Sequence, residues 1–182
     1  MKSEAPGALE LVRQFVNTTD LEEGWDKLDT PEGLASWLEE AGLNGAPAPT
    51  EADVARFADV REGLRALLFA NNGESLDKRA AGRLDRVARE VALHTRFTPD
   101  GALEPVGRGP EGALGVILAT VYGSMRDGTW SRLKACRADT CQWAFYDRSR
   151  NRSGTWCSME VCGNRAKARS YRRRQGERSP RA

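Results

Sequence analysis

Cys136-Arg-Ala-Asp-Thr-Cys141 and Cys157-Ser-Met-Glu-Val-Cys162 contain every cysteine of this 182-residue chain. Within each pair four residues separate the cysteines, and fifteen residues separate the pairs. Two close pairs of thiolates suit tetrahedral zinc, which needs soft ligands about 2.3 Å away, each pair closing a short loop around the ion. Cys136, Cys141, Cys157 and Cys162 are therefore the expected ligands. A four-cysteine set leaves no coordination position for water, so the expected Zn2+ is structural rather than catalytic. Disulfides are disfavoured by an intracellular setting. Iron–sulfur ligation remains the alternative, since thiolates serve it equally.

Working outward from the cysteines, Cys136–Cys141 reads as a turn-like knuckle. Trp143–Asp147 and Thr155–Cys157 have strand character around the polar turn Ser149–Gly154. Ser158 is placed to cap a helix carrying Cys162 in its first turn. Knuckle, hairpin and helix in that order predict a small treble-clef-like module, over residues 134–182. The helix that follows places Asn164, Ala168 and Tyr171 on the face expected to meet the hairpin. Arg165, Arg169, Arg172 and Arg173 form an outward stripe, with Lys167 and Arg174 beside it.

Charge divides the chain in the same place. Residues 134–182 carry 13 Lys+Arg against 4 Asp+Glu, leaving 15 basic and 22 acidic residues for the remainder out of totals of 28 and 26. A basic end on an acidic body suggests a polyanion partner for that end only. Arg148, Arg150 and Arg152 in the turn, with Arg165, Lys167, Arg169, Arg172, Arg173 and Arg174 in the helix, are the expected contacts to double-stranded DNA. If about six of them neutralise phosphates, affinity falls about a thousandfold between about 50 and 200 mM salt. Arg165 has a second reading, as an ion-pair partner of Asp147 across the hairpin.

Residues 1–133 read as a mainly α domain with one β-hairpin. Leu9, Val12, Phe15 and Val16 recur at helical spacing up to Asn17-Thr-Thr-Asp20. Thr30-Pro31-Glu32 opens a short helix, and Thr50-Glu-Ala-Asp53 a longer one that ends near Asn71. Ser75 is the expected cap of the next, with Leu84, Val87 and Val91 on its inner face. Residues 92–97 and 102–106 flank Thr98-Pro99-Asp100-Gly101, a hairpin turn by composition. A helix follows from Gly109 to about Asp127, and a short one is expected over Thr129–Ala135. Trp25, Trp37 and Trp130 are expected core or domain-interface anchors, and Asn17, Thr18 and Thr19 either cap a helix or line a pocket.

Apolar residues make up 40% of the chain, enough for a packed core. The greasiest stretch, Ala113–Val121, is shorter than the ~20 residues of a bilayer span, and Met1–Pro6 shows no signal-peptide h-region. These features predict a cytoplasmic protein without a membrane partner. His94, the only histidine, has no nucleophile with a claim on it, and no phosphate loop or paired-carboxylate motif occurs. No enzyme is predicted.

Cys157-Ser-Met-Glu-Val-Cys162-Gly163-Asn164-Arg165-Ala-Lys167 closely resembles the signature of the CGNR-type zinc finger family of bacterial proteins. Trp143–Asn151, with Phe145, Asp147, Ser149, Arg150 and Asn151, is similar to its central hairpin. Leu11–Thr19, with Phe15-Val16-Asn17-Thr18, looks like the opening of the domain that usually precedes the finger, named a putative stress-induced transcription regulator. The resemblance implies a DNA-binding transcriptional regulator, associated with the nucleoid when bound, whose N-terminal domain senses a small-molecule effector or dimerises. A homodimer is preferred because one finger offers little specific affinity. The same charge pattern would also serve an RNA-binding zinc module. A third reading is a metabolite-binding protein with the finger as docking element.

Overall fold

The computed structural model describes residues 4–99 and 101–178, with side chains described as far as Gln175. Helix α1 (Leu9–Val16) buries Leu9, Val12, Phe15 and Val16, the spacing that one helical face requires. In α2 (Pro31–Glu40), Thr30 Oγ1 accepts the Gly33 N–H at 3.0 Å and Pro31 occupies the first turn, where its missing N–H costs nothing. Helix α3 (Glu51–Asn71) begins with the full reciprocal capping box between Thr50 and Asp53. Its Phe57 meets Phe15 and Trp37 in an aromatic triad, with ring centroids 5.3–6.4 Å apart. Helix α4 (Lys78–Glu90) lies so close to α3 that a Cβ on Gly63 would come within 2.4 Å of Leu84 Cβ. Asp77, rather than Ser75, caps α4, with its Oδ1 accepting from the N–H groups of Arg79 and Ala80.

Strands β1 (Thr19–Asp20) and β2 (Trp25–Asp26) form a small hairpin between α1 and α2 that sequence periodicity did not announce. Two residues per strand are too few to display an alternation. Trp25 on β2 is 40% exposed, so only Trp37 and Trp130 are core anchors. Strands β3 (Leu93–Arg96) and β4 (Ala102–Pro105) form the expected hairpin, and pack their Leu93 and Pro105 side chains against Gly115 of α5 (Gly109–Arg126). Asp100, part of the expected turn, lies outside the described residues. His94 stands half-exposed on β3, 3.4 Å from Glu104.

The short helix expected over Thr129–Ala135 is instead one 3-10 turn, Trp130–Arg132, followed by β5 (Leu133–Ala135). Strand β5 pairs antiparallel with β6 (Ala144–Tyr146), in the register Leu133↔Tyr146, Lys134↔Phe145, Ala135↔Ala144. The partner of the Trp143–Asp147 segment is therefore upstream of the first cysteine pair, and Thr155–Cys157 forms no strand. The physical reason is burial on both faces. Leu133, Ala135, Ala144 and Tyr146 join the helical core, while Phe145 turns to the cysteines. The position expected for a domain boundary, between residues 133 and 134, falls inside β5. No helix among the described residues is long and apolar enough to cross a membrane.

Candidate metal centre and basic surface

The knuckle between β5 and β6 is closed by backbone. The Cys136 N–H donates to Trp143 O at 2.9 Å and the Cys141 N–H to Ala138 O at 2.8 Å. Gln142 then takes a left-handed conformation (φ 53°) that returns the chain into β6. The second pair lies at a helix entrance. Ser158 Oγ caps Val161 N–H at 3.3 Å, and a π-helical turn, Met159–Gly163, carries Cys162 inward. A Cβ on Gly163 would fall 2.8 Å from Met159 Sδ and 3.3 Å from the Trp156 ring, so a larger residue here would have to displace the Met159 side chain.

All four Sγ atoms lie within 4.8 Å of one another. Cys141–Cys157 is 3.5 Å and Cys157–Cys162 is 3.8 Å. The edge of a tetrahedron with ~2.3 Å zinc–sulfur bonds is about 3.8 Å, so the donor set fits the ion. Phe145, Trp143 and Trp156 pack around the cluster, and three of the thiols are buried. Thiol donors from Cys141 and Cys157 hold Cys136 as a thiolate, down at about 2. The Cys136 partner pushes Cys141 up to about 12, and Cys157 is raised as well. Burial raises Cys162. Four such thiols cannot all ionise together unless a cation compensates them.

The helical body holds this module by its backbone. Asn17, just past α1, accepts the Ala144 N–H with Oδ1 at 2.7 Å and donates from Nδ2 to Ala144 O at 3.0 Å, pairing with β6 as a strand would. Arg65 of α3 donates to Gln142 O at 2.9 Å and to Val16 O at 2.8 Å. Asn71 donates to the carbonyls of Trp130 and Leu133, and Asn72 to those of Ala135 and Thr155. Beside Arg65, Arg61 forms a two-pronged ion pair with Asp26 at 2.7 and 2.5 Å. Asn17 and Thr18 therefore serve neither as a pocket nor only as a cap, although Thr18 Oγ1 does bond back to Phe15 O. Replacing Asn17 by Ala leaves both Ala144 backbone groups without partners in a buried site, and is expected to cost about 2–3 kcal/mol in chemical unfolding. An unchanged midpoint would contradict that role.

The expected basic residues are brought together only in part. Asp147 does not meet Arg165. It forms a buried ion pair with Lys134 Nζ at 2.8 Å, and Lys134 also donates to the carbonyls of Arg152 and Gly154 at 2.6 and 3.1 Å. This closes the loop 147–154, which presents Arg148, Arg150 and Arg152 at the surface. Arg148 lies over the Tyr146 ring at 5.9 Å, and Arg152 reaches Ser131 Oγ at 3.2 Å. Arg165 instead pairs with Glu22 in the β1–β2 turn, at 2.7 and 2.9 Å.

Helix α6 (Asn164–Arg178) is exposed at every position described for its side chains except Ala166, which is half-buried. Asn164, Ala168 and Tyr171 (60% exposed) do not pack on the hairpin as expected. Apart from Arg165, which reaches Glu22, and the half-buried Ala166, the helix finds no surface for an inward stripe among the described residues. Lys167, Arg169, Arg172, Arg173 and Arg174 are consequently exposed all round the helix.

Sequence reasoning missed Lys134, Glu22, Asn72 and Arg65. The Asn71-Asn72-Gly73 run carries a signal, because two adjacent amides exceed what a helix end requires. The pairings of Arg65 and Glu22 leave no local trace.

No curated protein matches the chain at a significant level. Two family models do. Residues 132–175 match the CGNR zinc finger, and residues 9–125 match ABATE, described as "Putative stress-induced transcription regulator".

Proposed function

Since the chain belongs to the "Putative stress-induced transcription regulator" (ABATE) family and ends in a CGNR zinc finger, we propose that it is a zinc-stapled, DNA-binding transcriptional regulator. Cys136, Cys141, Cys157 and Cys162 hold a structural Zn2+, which compensates their clustered thiolates and fixes the knuckle to the start of α6. The observation that carries the reading is α6. Directly after Cys162 it exposes Lys167, Arg169, Arg172, Arg173 and Arg174, with no acidic residue between them, and Arg165, which is paired with Glu22. Such a rod suits a phosphate backbone or a groove, while Arg148, Arg150 and Arg152 grip an adjacent stretch of backbone.

The helical part, over residues 1–133, is the regulatory portion in this reading, and residues 134–182 are the finger. Hydrogen bonds from Asn17, Arg65, Asn71 and Asn72 tie the two together. A small effector would find its place in a groove of about 820 Å³ between the β3–β4 hairpin and α5, lined by Thr95, Leu103, Val116, Thr120 and Tyr122. Apolar walls with three hydroxyls, and with Arg126 and Asp127 beside them, suit a mostly apolar molecule that carries a polar group.

Binding to mixed-sequence duplex, followed by fluorescence anisotropy at several salt concentrations, tests the reading. An Arg169→Ala/Arg172→Ala/Arg173→Ala variant should lower the slope of log K against log salt by about 2.7, or about 0.9 for each phosphate that is no longer neutralised. Salt-insensitive binding by the parent protein would refute it. Preference for structured RNA over duplex DNA in direct competition would favour an RNA-binding module instead.

A further inference from the structure

Below the loop 147–154 lies a cleft of about 280 Å³, lined by Gly73, Lys134, Arg137, Arg152, Ser153 and Thr155 among others. We propose that this cleft is a second anion site, which seats one backbone phosphodiester of the bound duplex. The proposal rests on the DNA-binding reading and extends it to residues outside the arginine loop and α6.

The donor inventory supports it. Lys134 spends its three N–H donors on Asp147, Arg152 O and Gly154 O, so it forms the floor of the cleft but offers nothing further. Arg137 donates through Nη2 to Asn72 O, and its Nε lies 2.9 Å from Glu74. The Nε contact lacks hydrogen-bond geometry, which leaves both Nε and Nη1 without a hydrogen-bond partner among the described residues. Gly73, at φ +81°, forms the opposite wall, and a Cβ there would stand 2.9 Å from the Arg137 guanidinium. The positive φ favours glycine here, and its lack of a side chain leaves the guanidinium room against this wall. Arg152 uses Nη1 for Ser131 and has no carboxylate partner among the described residues. Ser153 and Thr155 bring hydroxyls to the rim, neutral groups that commonly meet phosphate oxygens; the Thr155 hydroxyl donates to Ser153 O at 3.4 Å and turns from that contact to the phosphate.

Charge selects the ligand class. Lys134 is balanced by Asp147 and Arg137 by Glu74, which leaves Arg152 as the uncompensated cation. One net positive charge matches the single negative charge of a phosphodiester better than the two of a terminal phosphate. Two guanidiniums and two hydroxyls around one small cleft can surround the two free oxygens of such a group.

The test uses the full zinc-loaded chain and variants that leave Lys134, Asp147 and the cysteines untouched. A Ser153→Ala/Thr155→Val double variant carries no charge change, so long-range electrostatics cannot imitate its effect. It should weaken duplex binding about tenfold, with unchanged metal content and melting temperature. Ser153→Asp should lower the salt slope by about 0.9, the equivalent of one phosphate. Duplex binding by both variants at parent affinity and slope, while the α6 triple variant has a reduced slope, would overturn the cleft and leave the DNA-binding reading standing. A parent protein that binds no duplex would overturn both.

Discussion

Removing the metal from the zinc-loaded protein is expected to lower the melting temperature of the whole chain, helical body included, in a single transition. A structural zinc in a small finger contributes on the order of 10–16 kcal/mol near pH 7, comparable to the entire stability of an ordinary domain. In a finger on a flexible tether the loss would stay local. Here β5 and β6 have two faces, with Leu133, Ala135, Ala144 and Tyr146 in the helical core and Phe145 against the cysteines. Releasing the knuckle frees the ends of both strands and strands the amides of Asn17 and Asn72. Cys157→Ser should therefore lose zinc, duplex affinity and the cooperativity of the helical melt together. Calorimetry with and without chelator checks this, and an undisturbed helical transition in the metal-free protein would contradict it.

Lys134→Met is expected to cost about 3–5 kcal/mol, the usual consequence of leaving one member of a buried ion pair uncompensated. Lys134 and Asp147 are each only 4% exposed. Burial by itself would raise the Asp147 carboxyl, but the hydrogen bonds from Lys134, Ser149 and the Gly154 N–H outweigh it and bring the pKa to about 2. The depressed value gives the sign of the pH dependence. Stability from this carboxylate is fully present above its ordinary 3.8 and is lost as pH falls through about 2, a contribution of about 2 kcal/mol. Urea midpoints at pH 7 for Lys134→Met, and for the parent between pH 5 and 2, measure both effects. Adding Asp147→Asn to the Lys134→Met variant should recover part of the loss, because the remaining buried group is then neutral. Failure to recover would place the cost in the packing of the lysine stem.

Parts of the architecture that depend on short-range chemistry were legible from sequence. Thr30, and Thr50 with Asp53, announced helix starts because a capping oxygen must lie within three residues of the N–H groups it satisfies. The cysteine spacing announced a cluster because each pair closes its own loop. Legibility ended where partners are distant or elements short. Asn17 and Ala144 are separated by 127 positions, and an asparagine after a helix already has a sufficient local explanation. Strand β5 is three residues long with a lysine at its centre, and only the later contact with Asp147 makes that lysine a buried residue. The inward stripe assigned to α6 assumed a surface beneath the helix. Periodicity names which residues share a face, but not whether anything lies opposite it.

The Arg165–Glu22 contact gives the β1–β2 turn a meaning beyond its size. Asp20 Oδ1 accepts the N–H groups of both Glu22 and Glu23, which stiffens the turn and steadies Glu22 toward the guanidinium. Two carboxylate oxygens there receive Arg165 much as two phosphate oxygens would. In the DNA-binding reading proposed above, Glu22 is thus an internal decoy for Arg165, and a nucleic acid would reach that arginine only by exchange, displacing one anion for another.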